Sequence, residues 1–308
     1  ALGLAAHRLK DAVTLQAASA VGQSRLMGVY DRGLSRHDLV GGQVLLAPLD
    51  FMNRQQYLHA RNTLGRLLDL GVVPVVNEND AVADDEIRFG DNDRLAALVA
   101  HLLGADLLTL LTDTPGVLTA DPRLDGSASL IEEIVQIDRQ LEERAGGTGS
   151  VRGSGGMASK LAAAKIAAWS GVRVIIADAD RPDVVTDALA GTAVGTVVHP
   201  HERRLPRRKL WIAFAVGSDG RITVDDGARR ALLEEGRSLL AAGVTAVDGD
   251  FPPERAVEIV GSDGQVFAKG LTRLGADDLA AHAGRRSQDL PEGLPREVIH
   301  RDDLVVLP

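Results

Sequence analysis

The chain has 308 residues, enough for one large α/β domain and a smaller one. It contains no cysteine, which excludes disulfides, thiolate zinc sites, iron–sulfur clusters and cysteine nucleophiles. A formal net charge of -9 and an aromatic content of 3% argue against a protein built to grip nucleic-acid phosphates or to stack unpaired bases.

In chain order, the first two hundred residues alternate short β-branched runs with Ala- and Leu-rich stretches of helical period. Strands are predicted at Val44–Leu46, Val72–Val76, Leu107–Leu111, Val172–Ala177 and Thr196–Val198. Helices are predicted at Val13–Tyr30, Asn53–Leu70, Asp93–Leu103, Ile131–Arg144, Met157–Ser170 and Pro182–Ala190. That alternation implies an α/β fold: a mostly parallel, open sheet sandwiched by helices, with ligands outside the carboxyl ends of the strands. A basic segment at 201–209 follows and reads as a solvated linker between a first domain, 1–200, and a second, 210–308. The second domain has short strand patterns at Leu210–Val216, Arg221–Val224, Val244–Gly249, Ala256–Val260, Gln265–Gly270 and Glu297–Val306. Brief helices are predicted at Ala228–Glu235 and Ala276–Ala283, so the expectation is a small β-rich barrel. Residues 201–308 carry 16 Lys and Arg against 18 Asp and Glu, a near balance that disfavours RNA as a partner. No apolar run approaches the ~18–20 residues needed to span a bilayer, and no charged-then-apolar leader opens the chain. The expected setting is cytoplasmic, without a membrane partner.

Four segments carry polar groups where such a sheet binds ligands. Pro74-Val75-Val76 runs into Asn77-Glu78-Asn79-Asp80, four polar residues at a strand's end, which is either a surface turn or a binding edge. Gly90-Asp91-Asn92-Asp93 opens a helix; one residue suffices for a cap, and the surplus could hold an amino group. Thr112-Asp113 ends the strand before the turn Pro115-Gly116. The glycine-rich run from Gly146 to Gly156 leads into the helix Met157-Ala158-Ser159-Lys160, where free N–H groups suit a phosphate. Lys160 sits awkwardly there for the helix dipole unless a polyanion is bound. The run lacks the Gly-Lys-Ser/Thr ending of a Walker loop and by itself could be a flexible linker. The eight histidines show no paired helical spacing of a metalloprotease, and no nucleophile elbow is present.

In order and spacing, AASAVGQSRL (Ala17–Leu26), VPVVNENDAVADDEIRFGDND (Val73–Asp93), LTLLTDTPGVLTADPR (Leu108–Arg123) and GSGGMASKLAA (Gly153–Ala163) resemble the glutamate 5-kinase family of the amino-acid kinase superfamily. Gly236–Val244 and His300–Asp303 resemble pieces of the PUA module often found behind such kinases. The resemblance implies ATP-dependent phosphorylation of the γ-carboxylate of L-glutamate, the first step of proline biosynthesis, with Mg²⁺ as companion of the nucleotide. It implies substrate binding by Asp80 and Asn92, with Asn77, Asp91 and Asp93 nearby. ATP would lie against Thr112, Asp113 and the loop Ser154, Gly155, Gly156, Met157, Ala158, Ser159 and Lys160. Lys160 and Asp113 would be the catalytic pair, Lys160 on the moving phosphoryl group and Asp113 orienting cations around the phosphates. Homo-oligomers and feedback inhibition by proline are implied in the same way. Ser154 stands where the family usually has Thr.

The family also opens with a strand and glycine turn bearing a lysine, then a strand ending in S-S-G-A. Neither pattern occurs here, and the first residue is Ala1, so a longer reading frame with an upstream segment is expected. Without that segment, little kinase activity is expected. Competing readings are a kinase acting on acetylglutamate, aspartate, carbamate or UMP, and a catalytically dead regulatory or RNA-binding protein. The NEND and GDND pair favours glutamate over the other acceptors.

Overall fold

The computed structural model describes residues 12–47, 50–51, 53–81, 92–138, 140–142, 156–201 and 205–307. The chain divides into two compact units, Ala1–Arg204 and Leu205–Pro308.

The first unit runs α1 (Ala12–Leu34), β1 (Val40–Leu46), α2 (Arg54–Asp69), β2 (Val72–Glu78), α3 (Asn92–Leu103), β3 (Leu107–Thr112), β4 (Glu133–Ile134), α4 (Met157–Trp169), β5 (Arg173–Asp178), α5 (Val184–Ala190) and β6 (Thr196–Val198). β1 pairs parallel with β2, from Val40 beside Val72 to Leu46 beside Glu78. A second group has the order β3-β5-β6-β4. Among the described residues, every strand pairing of this unit is parallel except β5 with β6. β5 shows why its sequence is a continuous apolar run: Val174, Ile175, Ile176 and Ala177 are all essentially inaccessible, as a strand covered on both faces requires. Helix α4 packs against both β5 and α3. Its buried alanines, Ala163, Ala164 and Ala167, allow that close approach. Asn53 caps α2 by accepting from Gln55 N (2.9 Å) and Gln56 N (3.1 Å).

The structure departs from the sequence pattern in three places. The helix predicted over Ile131–Arg144 is replaced at its start by β4, because Val197 N donates to Glu132 O (2.8 Å) and His199 N to Ile134 O (2.9 Å). Its β-branched residues fit that pairing better than a helix. The strand predicted at Leu210–Val216 is instead a helical turn, α6 (Arg207–Leu210), continued by a π-turn at Trp211–Ala215. Pro206 starts it: Pro suits a helix's first turn, and its carbonyl accepts from Leu210 N at 3.0 Å. The single strand predicted over Glu297–Val306 is broken by a 3₁₀ turn at Arg301–Asp303, where His300 Nδ1 accepts from Asp302 N at 3.2 Å.

The second unit continues from α6 through β7 (Gly220–Val224), α7 (Asp226–Glu234), β8 (Leu239–Leu240), β9 (Val244–Gly249), β10 (Ala256–Val260), β11 (Val266–Leu271), α8 (Ala276–His282), β12 (Glu297–Ile299) and β13 (Leu304–Val306). Its strands form a sheet of order β13-β11-β10-β7-β9 and a small pair β12-β8. Ile222, Val257, Ile259, Phe267, Leu279 and Val298 build its core. Lys269 of β11 is buried and donates to the carbonyl of Val216, tying the end of the π-turn to the sheet. Among the described residues no helix is long and apolar enough to cross a membrane.

One buried hydroxyl sets the loop that follows β3. Thr196, fully inaccessible at the start of β6, accepts from Val117 N at 2.8 Å and donates to Ile131 O at 2.6 Å. Gly116 lies against it at φ +152; a Cβ there would come within 2.6 Å of Thr196 Oγ1. Thr196→Val keeps the shape but strands one donor and one acceptor, so it is expected to cost about 2 kcal/mol. That corresponds to a melting temperature lower by roughly 5 °C. Thr196→Ser should melt close to the parent, and a thermal melt of both variants checks the expectation.

Candidate active site

The end of β2 is fixed from two sides. Asn77 and Glu78 lie beside Leu45 and Leu46 of β1, Asn79 N donates to Leu46 O at 2.9 Å, and Glu78 is buried. Asp80, just beyond, accepts on Oδ2 from Ser19 Oγ of α1 at 2.9 Å. Two local forces, strand pairing and a tertiary hydrogen bond, thus hold the polar loop at the carboxyl edge of the sheet. Asp91 lies outside the described residues, while Asn92 opens α3 with its side chain exposed.

Asp93 follows in the first turn of α3, where the helix dipole favours an acid. Its carboxylate meets the first turn of α4: Lys160 Nζ donates to Asp93 Oδ2 at 2.8 Å, with side-chain exposures of only 9% and 15%. Ser159 Oγ reaches the same oxygen at 3.1 Å and the Gly156 carbonyl at 2.8 Å, so its single proton has two acceptors to choose between. The start of α4 has Gly156 as its N-cap, no side-chain cap bond and no acidic residue in its first turn. An ammonium at a helix N-terminus is electrostatically misplaced. Here a carboxylate from another helix offsets the misplacement. Of the glycine-rich loop, Gly156, Met157, Ala158, Ser159 and Lys160 are described, whereas Ser154 and Gly155 lie outside the described residues.

Thr112 and Asp113 stand at the end of β3. Thr112 pairs in register with Asp178 of β5, and Ala179 N donates to Thr112 O at 2.8 Å. Thr112 Oγ1 donates to Asp113 Oδ1 at 3.3 Å, a long bond. Further along the same loop, Arg123 forks onto Asp121, with Nε to Oδ1 at 3.0 Å and Nη2 to Oδ2 at 2.8 Å. Those bonds hold the Asp121 carboxyl below its ordinary range. The pair is exposed and shapes the turn more than it stabilises the fold.

The structure therefore brings together Asp93, Ser159 and Lys160. It places Thr112 and Asp113 at one strand end, and Asn77 and Asp80 at another. The carboxylate found on Lys160 is Asp93. Two contributors were not singled out from sequence, Ser19 and Thr196. Ser19 had one available signal, a lone hydroxyl in the alanine run Ala17-Ala18-Ser19-Ala20. Thr196 had none, since a Thr at a strand start is unexceptional.

An α/β unit with a lysine at the start of a helix preceded by Gly156 suits an anionic ligand, and comparison with known proteins gives the class. Residues 2–178 match the amino acid kinase family, and residues 220–294 match the PUA domain. Glutamate 5-kinase of Pelobacter propionicus is 46% identical over 296 residues, covering 95% of this chain and 79% of that protein. Glutamate 5-kinase of Trichlorobacter lovleyi is also 46% identical with the same coverage, and that of Sodalis glossinidius is 47% identical over 295 residues, covering 94% and 80%. The chain belongs to the amino acid kinase family and, within it, to the glutamate 5-kinases.

Removing Asp93 would leave a buried ammonium without this carboxylate. Asp93→Ala is expected to lower the unfolding free energy by about 3 kcal/mol. The double variant with Lys160→Met should recover most of that loss, because the orphaned charge is then gone. Urea denaturation of the two single variants and the double variant measures the coupling; additive losses would contradict it.

Proposed function

We propose that the protein transfers the γ-phosphoryl group of ATP to the γ-carboxylate of L-glutamate, giving L-glutamyl 5-phosphate at the entry to proline biosynthesis. Similarity to glutamate 5-kinases along almost the whole chain supports glutamate as the acceptor rather than acetylglutamate, aspartate, carbamate or UMP. It likewise disfavours a catalytically dead regulatory or RNA-binding role. The observation that carries the chemistry is the buried Lys160, the cation such a reaction requires.

The acceptor dictates what the site must do. A γ-carboxylate is already ionised at neutral pH, so no general base is needed. Its difficulty is repulsion, because one anion must attack another in line. Catalysis is then positioning and charge neutralisation. Lys160 supplies the charge on the moving phosphoryl group, and the N-terminus of α4 adds partial positive charge beside it. Asp93 acts through Lys160 as a positioning residue, holding the ammonium in one place before substrates arrive. In this reading the orienting work expected of Asp113 is shared with Asp93. Asp80, Asn92 and Asn77, with Asp91, hold the ammonium and α-carboxylate of glutamate. Thr112 and Asp113, with the loop from Ser154 to Lys160, hold the nucleotide.

The hydroxyl of Thr112 and the carboxylate of Asp113 are hard oxygen donors of the kind Mg²⁺ accepts, directly or through water. When bound, the ion would neutralise charge on the β- and γ-phosphates. Feedback inhibition by proline, assembly into homo-oligomers and a cytoplasmic location belong to the same proposal and come from family likeness.

Incubation of the full-length protein with ATP, Mg²⁺, hydroxylamine and each candidate acceptor tests the reading, since an acyl phosphate is intercepted as a hydroxamate. Hydroxamate should form with glutamate and at trace levels with aspartate or acetylglutamate; a preference for another acceptor would overturn it. Asp80→Asn removes a charge facing the substrate ammonium and is expected to raise KM for glutamate about tenfold or more.

A further inference from the structure

The residue that fixes Asp80 belongs to none of the segments treated as binding loops. Ser19 lies within α1, half-buried, and its hydroxyl donates to Asp80 Oδ2 across 61 residues of sequence at 2.9 Å. A serine inside a helix commonly bonds back to its own helix's carbonyl one turn earlier. Ser19 instead directs its hydroxyl outward to the carboxylate. It is the only polar residue of Ala17-Ala18-Ser19-Ala20. Alanine there would favour the helix slightly more, so the hydroxyl's contribution lies in what it contacts.

We infer that Ser19 is a positioning residue for amino-acid recognition: it locks the rotation of the Asp80 carboxylate so that its other oxygen faces the substrate ammonium. The inference rests on the proposed role of Asp80 in binding glutamate. An ionised carboxylate offers about four acceptor sites on two oxygens. Committing Oδ2 to a neutral donor leaves the full negative charge in place while removing the rotational freedom that a substrate would otherwise have to freeze. The backbone just before Asp80 is already held, since Asn79 N is bonded to Leu46 O at 2.9 Å. The Ser19 bond therefore acts on the side chain that the backbone bond leaves free. α1 thus enters the substrate site through one hydroxyl.

The test is steady-state kinetics of Ser19→Ala and Ser19→Thr in the full-length protein. Ser19→Ala is expected to raise KM for glutamate about five- to tenfold, the usual worth of one such hydrogen bond. KM for ATP should be unchanged and kcat should stay within about twofold. Ser19→Thr restores the hydroxyl and should bring KM for glutamate back most of the way. An unchanged KM for glutamate in Ser19→Ala would overturn the inference. So would a parallel rise in both KM values with a fall in melting temperature, which would mark Ser19 as structural only. Absence of glutamyl hydroxamate from the unmutated protein would count against the proposed function itself, whereas activity insensitive to Ser19 would count only against this role.

Discussion

Much of the first unit can be read outward from the contact between Lys160 and Asp93. A lysine in the first turn of a helix opposes the local field, and a lysine with a 9% exposed side chain also loses most of its hydration. Neither cost is met within α4, whose first turn contains no acid. The compensating carboxylate arrives from α3, 67 residues earlier in the chain. It can do so because the two helices pack against each other. The packing of α3 on α4 makes the lysine tolerable.

Such a pair is also poised. In the resting molecule Asp93 holds the ammonium. In the proposed reaction, a polyanion at the start of α4 would be a second partner, and the helix terminus that was unfavourable for the lysine would favour the ligand. The proposed reaction brings two anions together, so a cation positioned in advance does more than a base could.

Strand ends carried most of what the sequence disclosed. The runs ending in Asn77–Asp80 and in Thr112-Asp113 announce a strand and its ligand edge together, because each apolar run stops where polar residues begin. What stayed hidden was decided by partners distant in sequence. The strand β4 exists because β6 accepts and donates along it, which the periodicity of Ile131–Arg144 does not reveal. The turn at Trp211–Ala215 looks like a strand until Pro206 starts a helix before it. Thr196 and the choice of Asp93 for Lys160 are tertiary contacts made by common residue types that no local pattern distinguishes, and Ser19 shows only as the lone hydroxyl of an alanine run.

The central claim is that Lys160 acts on charge developing during transfer rather than on ground-state binding. Comparison of kcat and both KM values for Lys160→Ala and the unmutated protein, at saturating Mg²⁺, tests it most directly. The account predicts a kcat lower by about 10²–10³ with KM for glutamate within a few-fold of the parent. A variant that keeps its kcat and merely binds ATP more weakly would contradict it.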